Sequence, residues 1–220
     1  MKKPVIFCDF DGTITKKDNI VMLMKQFAPP EWDELKDKVL SQEISIQQGV
    51  GKMFSLLPTS KKQEITNYVL EHAEIREGFE EFVAYTNKQS IPLYIVSGGI
   101  DFFVKPMLES FEINGNIYCN ESDFTGEKIK IIWPHSCDEH CDNDCGCCKP
   151  SIIRQFDSEN YERIVIGDSI TDLAGAKLAD HVLAREFLLE KCQSLNLPHT
   201  SFETFFDVIA YLEKRKAGVL

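Results

Sequence analysis

Positive charge is scarce in this sequence. Its 24 lysines and arginines stand against 35 aspartates and glutamates, a net charge of −11. That balance excludes a broad nucleic-acid or anionic-membrane surface, but not one local cationic pocket for a small phosphorylated metabolite. Long apolar runs are missing too. The run at 5–8, after Lys2 and Lys3, is far too short for a signal peptide. No stretch approaches the roughly 20 apolar residues of a membrane helix, so the protein is read as cytoplasmic. In that compartment the eight cysteines read as thiols or metal ligands rather than disulfides. Internal repeats and low-complexity tracts are absent, which argues against a solenoid.

What is present suits a globular chain: 43% hydrophobic and 27% charged residues over 220 positions, enough for one large domain or one domain with an insert. Strand-like apolar segments recur at 5–8, 92–96, 117–119, 163–166 and 181–184. Segments of helical period at 102–111, 151–157 and 172–178 lie between several of them. Such alternation predicts an α/β sheet of mainly parallel strands. Residues 19–87 read as several helices, broken at Pro29-Pro30 and at Pro58-Thr59-Ser60, where Ser60 is placed to cap the next helix. A crossover needs only a dozen or so residues. The expected division is therefore a core of 1–16 and 80–220 with a helical insert at 17–79. A hairpin is expected around Thr125-Gly126, followed by a cysteine-rich loop.

Ligands of an open α/β sheet gather at the carboxyl ends of its strands, and those ends carry the polar residues. The first ends in Asp9-Phe10-Asp11-Gly12-Thr13, the second in Ser97-Gly98-Gly99, and the fourth in Gly167-Asp168-Ser169 with Asp172 beyond. Lys149 precedes the helix leading to the fourth. Singly, each is an ordinary turn, cap or solvated charge. Together, three carboxylates make an oxygen site suited to Mg²⁺, and a hydroxyl, backbone N–H groups and an ammonium supply donors for a phosphate. Asp9 and Asp11, two apart in an extended strand, would face the same way and repel unless a cation or shared proton intervenes.

The string DFDGT, the Ser-Gly-Gly, the lysine and GDSxxD resemble the four motifs of the haloacid dehalogenase-like phosphatases. The long insert after the first motif is similar to the helical cap of their phosphoserine phosphatase-like branch. The resemblance implies a Rossmann-like core with a helical cap and Mg²⁺-dependent hydrolysis of a phosphomonoester. It also implies roles. Asp9 would be the nucleophile that forms an aspartyl-phosphate, and Asp11 the general acid and then base. The metal would be held by the Asp9 and Asp168 carboxylates and the Asp11 backbone carbonyl. Thr13, Ser97, Gly98 and Lys149 would hold the phosphate, with Asp172 orienting Lys149 or the metal's waters.

Specificity is expected to lie in the cap. Asp18 stands where the phosphoserine branch carries an acid that grips its amino acid, and Met53 where it carries an arginine. Met53 and Phe54 would favour an uncharged, thioether-bearing leaving group, or else are ordinary cap core. Another small-metabolite phosphatase, acting on phosphoserine or phosphocholine, is the alternative. A receiver domain is disfavoured by the 17–79 insert, and a binding module with decayed motifs by the intact Asp9, Asp11, Lys149 and Asp168. Among His135, Cys137, His140, Cys141, Cys145, Cys147 and Cys148, the set Cys137, Cys141, Cys145 and Cys148 is a candidate for structural Zn²⁺, against a metal-free loop that merely places Lys149. Oligomeric state is not legible.

Overall fold

The computed structural model describes residues 2–219. Its sheet has seven strands: β1 (Lys3–Cys8), β2 (Leu93–Ile100), β3 (Ile117–Asp123), β4 (Lys130–Ile132), β5 (Tyr161–Gly167), β6 (His181–Ala184) and β7 (His199–Ser201). Their order is β4-β3-β2-β1-β5-β6-β7, parallel except for β4, which runs antiparallel to β3 as the outer arm of the expected hairpin. β1 sits centrally because it is apolar on both faces. Ile6 and Cys8 face one core cluster, and Val5 and Phe7 face another beneath the sheet, the continuous burial of a two-sided parallel strand.

Four helices fill the insert: α1 (Asn19–Phe27), α2 (Glu31–Leu40), α3 (Ile46–Ser55) and α4 (Lys62–His72). Asp18 caps α1 through the Val21 N–H, and a Ser45–Gln48 capping box opens α3. Ser60 caps nothing. It lies inside a 3₁₀ turn, Thr59–Lys61, and α4 begins with Lys61 at its cap position and no side-chain bond. The turn instead leans on the hairpin, where the Thr59 N–H donates to the Glu127 carbonyl at 3.0 Å and the Ile129 N–H to that of Leu57 at 3.0 Å. The apolar faces of α3 and α4 join the upper sheet cluster through Met53, Phe54, Ile65 and Val69, and Phe54 meets Phe102 edge to face at 6.3 Å.

The remaining helices are α5 (Phe79–Gln89), α6 (Asp101–Leu108), α7 (Lys149–Ile153), α8 (Ile170–Ala176), α9 (Glu186–Ser194) and α10 (Phe205–Lys216). β2 runs four residues further than its apolar pattern, through Ser97-Gly98-Gly99 to Ile100, with a register shift against β3. The three-residue β7 is too short to show an alternating pattern. None of the described helices is long and apolar enough to cross a membrane.

His181, on β6, stacks on Tyr211 with ring centroids 4.4 Å apart and lies 3.0 Å from the Thr200 hydroxyl. Burial, then nearby His199, lowers its pKa to about 4, against about 6.5 for a free histidine. Between those values the unfolded chain binds the extra proton, so this contribution to stability is intact above about 6.5 and is lost as pH falls towards 4. Urea titrations across that window should show His181→Gln losing less stability on acidification than the unmutated chain.

Candidate active site

Three neighbouring strands, β2, β1 and β5, deliver their carboxyl ends to one crevice, and α7 brings Lys149 up beside them. Pro150 occupies the first turn of α7, where its missing N–H costs nothing. The Lys149 ammonium lies 2.7 Å from Asp9 Oδ1 and 2.5 Å from Asp172 Oδ1, and all three side chains are almost wholly buried. Asp172 is fixed from its other oxygen, which accepts from the N–H groups of Asp168 at 3.2 Å and Ser169 at 3.0 Å. It closes the capping box of α8 with one oxygen and holds the lysine with the other.

Asp9 still belongs to the sheet, its N–H donating to the Ile166 carbonyl at 2.9 Å, but β1 ends at Cys8. The chain then turns at Gly12, whose φ is +81° and where a Cβ would lie 2.4 Å from Asp168 Oδ2. Straight-strand geometry therefore does not extend across Asp9 and Asp11, and different elements hold the two. Lys149 holds Asp9, whereas Asp11 Oδ1 accepts from the backbone N–H of Asn19 at 3.0 Å and from its side-chain amide at 2.7 Å. Thr13 donates to Asp168 Oδ1 at 2.6 Å. The Ser97 hydroxyl accepts from the Gly99 N–H at 2.8 Å, and Gly98 borders open space. A Cβ at Gly99 would lie 2.7 Å from Asp11 Oδ2, so glycine there lets the end of β2 approach the acid.

One lysine does not balance this much negative charge. Burial, then Asp172, pushes the Asp9 carboxyl well above the usual range, although Lys149 opposes the shift. Burial, then Asp172, raises Asp168 to about 6, and burial, then Asp18, raises Asp11 to about 7. Burial alone would lower Lys149, but Asp172 and Asp9 outweigh it and hold the ammonium above its ordinary value. Carboxylate oxygens of Asp9, Asp168 and Asp172 lie within 4.8 Å of one another. An all-oxygen set short of positive charge fits a hard divalent cation.

Three residues at this site had no motif to point to them. Asn19 positions Asp11. Asn120, midway along β3, donates to the Gly98 carbonyl at 2.8 Å. Arg76 is buried where the insert returns to the core, donating to the carbonyls of Thr13 and Gly12 at 2.7 Å each. Beside it, backbone bonds from Lys16 to Glu74 and from Arg76 to Ile14 close the neck of the insert. Asp18 serves as the cap of α1, Met53 and Phe54 pack in the shared core, and the sulfurs of Cys137, Cys141, Cys145 and Cys148 converge in the loop before Lys149.

The profile of the family described as haloacid dehalogenase-like hydrolase matches residues 6–177. The chain belongs to that family. Among curated relatives of this hydrolase, a 2-hydroxy-3-keto-5-methylthiopentenyl-1-phosphate phosphatase of Geobacillus thermodenitrificans (strain NG80-2) is 61% identical over 213 residues, covering 97% of each chain. One of the same name from Brevibacillus brevis (strain 47 / JCM 6285 / NBRC 100599) is 58% identical over 220 residues, covering 100% of this chain and 99% of its own. Among solved structures, a phospho-aspartyl intermediate analogue of phosphoserine phosphatase superposes with a TM-score of 0.70 at 18% identity, over 96% of this chain and 99% of the other. At that identity the likeness is one of fold.

Arg76 generates a prediction here. Arg76→Gln keeps at most part of its bonding to the Gly12 and Thr13 carbonyls. With charge-assisted bonds worth about 1.5–3 kcal/mol, unfolding in urea should show a loss of about 2–4 kcal/mol. Turnover should fall as well, because the same carbonyls shape the turn between Asp11 and Thr13.

Proposed function

We propose that this haloacid dehalogenase-like hydrolase removes the phosphate from 2-hydroxy-3-keto-5-methylthiopentenyl-1-phosphate, a step of methionine salvage, through an aspartyl-phosphate on Asp9. The observation that carries the reaction class is the Asp9 carboxylate, buried at a strand end and held at 2.7 Å by Lys149. Asp9 attacks phosphorus as the bond to the ester oxygen breaks, and Asp11 gives its proton to the departing oxygen. Asp11 then takes a proton from the water that attacks the acyl-phosphate, which frees inorganic phosphate and restores Asp9. Lys149, Ser97, Thr13 and the N–H groups at Gly98 neutralise and orient the phosphoryl oxygens. Asp172 holds Lys149 in line. Mg²⁺, held by Asp9, Asp168 and the Asp11 carbonyl, would supply the charge neutralisation that lets an anionic carboxylate approach an anionic phosphate.

The substrate assignment rests on the names of the relatives and on the composition of the insert, which acts as the cap over 17–79. Arg76 is the sole arginine in that stretch, and backbone carbonyls occupy its guanidinium. The cap thus has no free guanidinium for a substrate carboxylate. Asp18 is turned to capping α1, and Met53 and Phe54 pack in the shared core, so none of the three offers a cation to a substrate carboxylate.

Two tests follow. Asp9→Asn should lower turnover by roughly four orders of magnitude or more while leaving melting nearly unchanged. Asp11→Asn should accumulate the hydroxylamine-sensitive aspartyl-phosphate, and EDTA should stop turnover until Mg²⁺ is restored. A near-normal rate in Asp9→Asn would rule out the covalent route. For specificity, kcat/KM for the methylthio substrate should exceed that for phosphoserine by roughly a hundredfold, because a buried carboxylate without a partner costs a few kcal/mol. Equal values would overturn the substrate while leaving the phosphatase intact.

A further inference from the structure

The loop 133–148 has little apolar material of its own. Trp133 covers Gly146, and Cys147 is drawn into the cluster beneath the sheet with Val5, Phe7 and Val96. Most of the rest is acidic, polar or cysteine. A structureless loop longer than about 12–15 residues inside a compact domain is usually functional or disordered. This one is tied at both ends of its path. Arg154 grips Asp138, the Asp138 N–H donates to the Ser151 hydroxyl at 2.9 Å, and the Cys148 N–H donates to the His135 carbonyl at 2.9 Å. On the far side Ser45, the cap of α3, donates to Asp144, whose carbonyl accepts from the Gln47 N–H at 3.2 Å.

At the centre, the sulfurs of Cys137, Cys141, Cys145 and Cys148 lie within 4.8 Å of one another. Cys141 Sγ and Cys145 Sγ are 3.8 Å apart, and a tetrahedron with Zn–S bonds of about 2.3 Å has edges of about 3.8 Å. Paired by position, 137 with 141 and 145 with 148, the spacings fall within the range of zinc knuckles. Two donors point at sulfur: the Cys145 N–H reaches Cys137 Sγ at 3.4 Å, and the Ser151 hydroxyl reaches Cys148 Sγ at 2.9 Å. Such bonds stabilise metal-bound thiolates from outside the ligand set. The other candidates are engaged elsewhere. His135 packs edge-on to Tyr118, His140 is exposed beside Glu139, and Cys147 is buried among apolar side chains.

We propose that Cys137, Cys141, Cys145 and Cys148 bind one structural zinc ion, which fixes the loop that both presents Lys149 and meets the start of α3. Binding sends the four thiol protons to solvent and leaves the four sulfurs as thiolates on the ion, with no change of oxidation state. The last ligand adjoins Lys149 in sequence, so the ion sets the backbone from which the ammonium reaches Asp9. The ion itself lies outside the reacting centre.

The test is the metal content of the full chain, purified under reducing conditions without chelator. Metal content and melting are read without substrate and are thus independent of the function proposed above. About one zinc per chain is expected. Protein stripped by chelator should take up one Co²⁺ with the visible bands of a tetrahedral thiolate site. Cys141→Ser combined with Cys145→Ser should lose the metal, melt at lower temperature and lose about tenfold to a hundredfold in kcat. Cys192→Ala, at the distant cysteine on the buried face of α9, should keep the metal. Four outcomes would overturn the proposal: no zinc retained even after reconstitution of the unmutated chain, zinc still held by the double variant, iron in place of zinc, or a Cys141–Cys145 disulfide in freshly purified protein.

Discussion

The site turns on one buried ammonium. Lys149 lies between Asp9, at the end of β1, and Asp172, in the first turn of α8, and it joins three stretches of chain that meet only in the fold. A buried lysine would ordinarily lose its proton to escape the cost of desolvation. Two carboxylates at hydrogen-bond distance reverse that tendency here. The dependence is mutual. Without the ammonium, Asp9 and Asp172 would be buried like charges within 4.8 Å, and removing one partner of a buried ion pair is commonly worth 3–5 kcal/mol, on the order of half a domain's stability.

Around that pair, the turn after β1 is held by backbone contacts as well as by the packing of Phe10 and Ile14 into the core. Gly12 takes a left-handed conformation and leaves room for the Asp168 carboxylate, and Arg76 occupies the carbonyls of Gly12 and Thr13. Arg76 sits at the neck where the insert rejoins the core, so the groups that shape the turn also anchor the insert. Asn19, the first residue of α1, reaches back to Asp11. Asp11 is thus positioned by the insert and Asp9 by the core. Any displacement of the helices relative to the sheet would change the distance between the two carboxylates.

The parts legible in the sequence share one property: the residue type and its place on a strand suffice to locate them. A parallel sheet sets its carboxyl ends in a row, so Asp9, Ser97 and Asp168 could be brought together from the apolar runs preceding them. Lys149 was legible only through its motif, since nothing in residues 133–148 shows where that loop travels. Arg76, Asn19 and Asn120 were not legible, because each binds backbone or a side chain distant in sequence and any polar residue leaves the same trace. Ser60 misled for a related reason. Serine after Pro-Thr is a good cap in isolation, but the Thr59 N–H and hydroxyl are taken up by the hairpin, and the chain tightens into a 3₁₀ turn before α4 begins. The capping of α1 by Asp18 shows the converse: a local bond decides the orientation of a residue whose position in the chain suggested a substrate contact.

The loop before Lys149 is where the two ways of fixing a chain diverge. Elsewhere most site residues stand on, or follow directly from, strands and helices whose burial holds them, as Asp9 follows β1 with both its faces covered. Lys149 follows a polar loop that cannot bury enough apolar surface to offset the entropy of ordering it, about 1–2 kcal/mol per residue. Specific bonds must do that work, and those present converge on the loop's two ends and on its four inner sulfurs. Glycine at 146, with φ of +79°, lets the chain turn back under Trp133, so the segment from Cys145 to Cys148 doubles over the apolar cluster into which Cys147 inserts. The lysine enters α7 directly from that turn. The position of the ammonium beside Asp9 is therefore inherited from this polar, cysteine-rich loop.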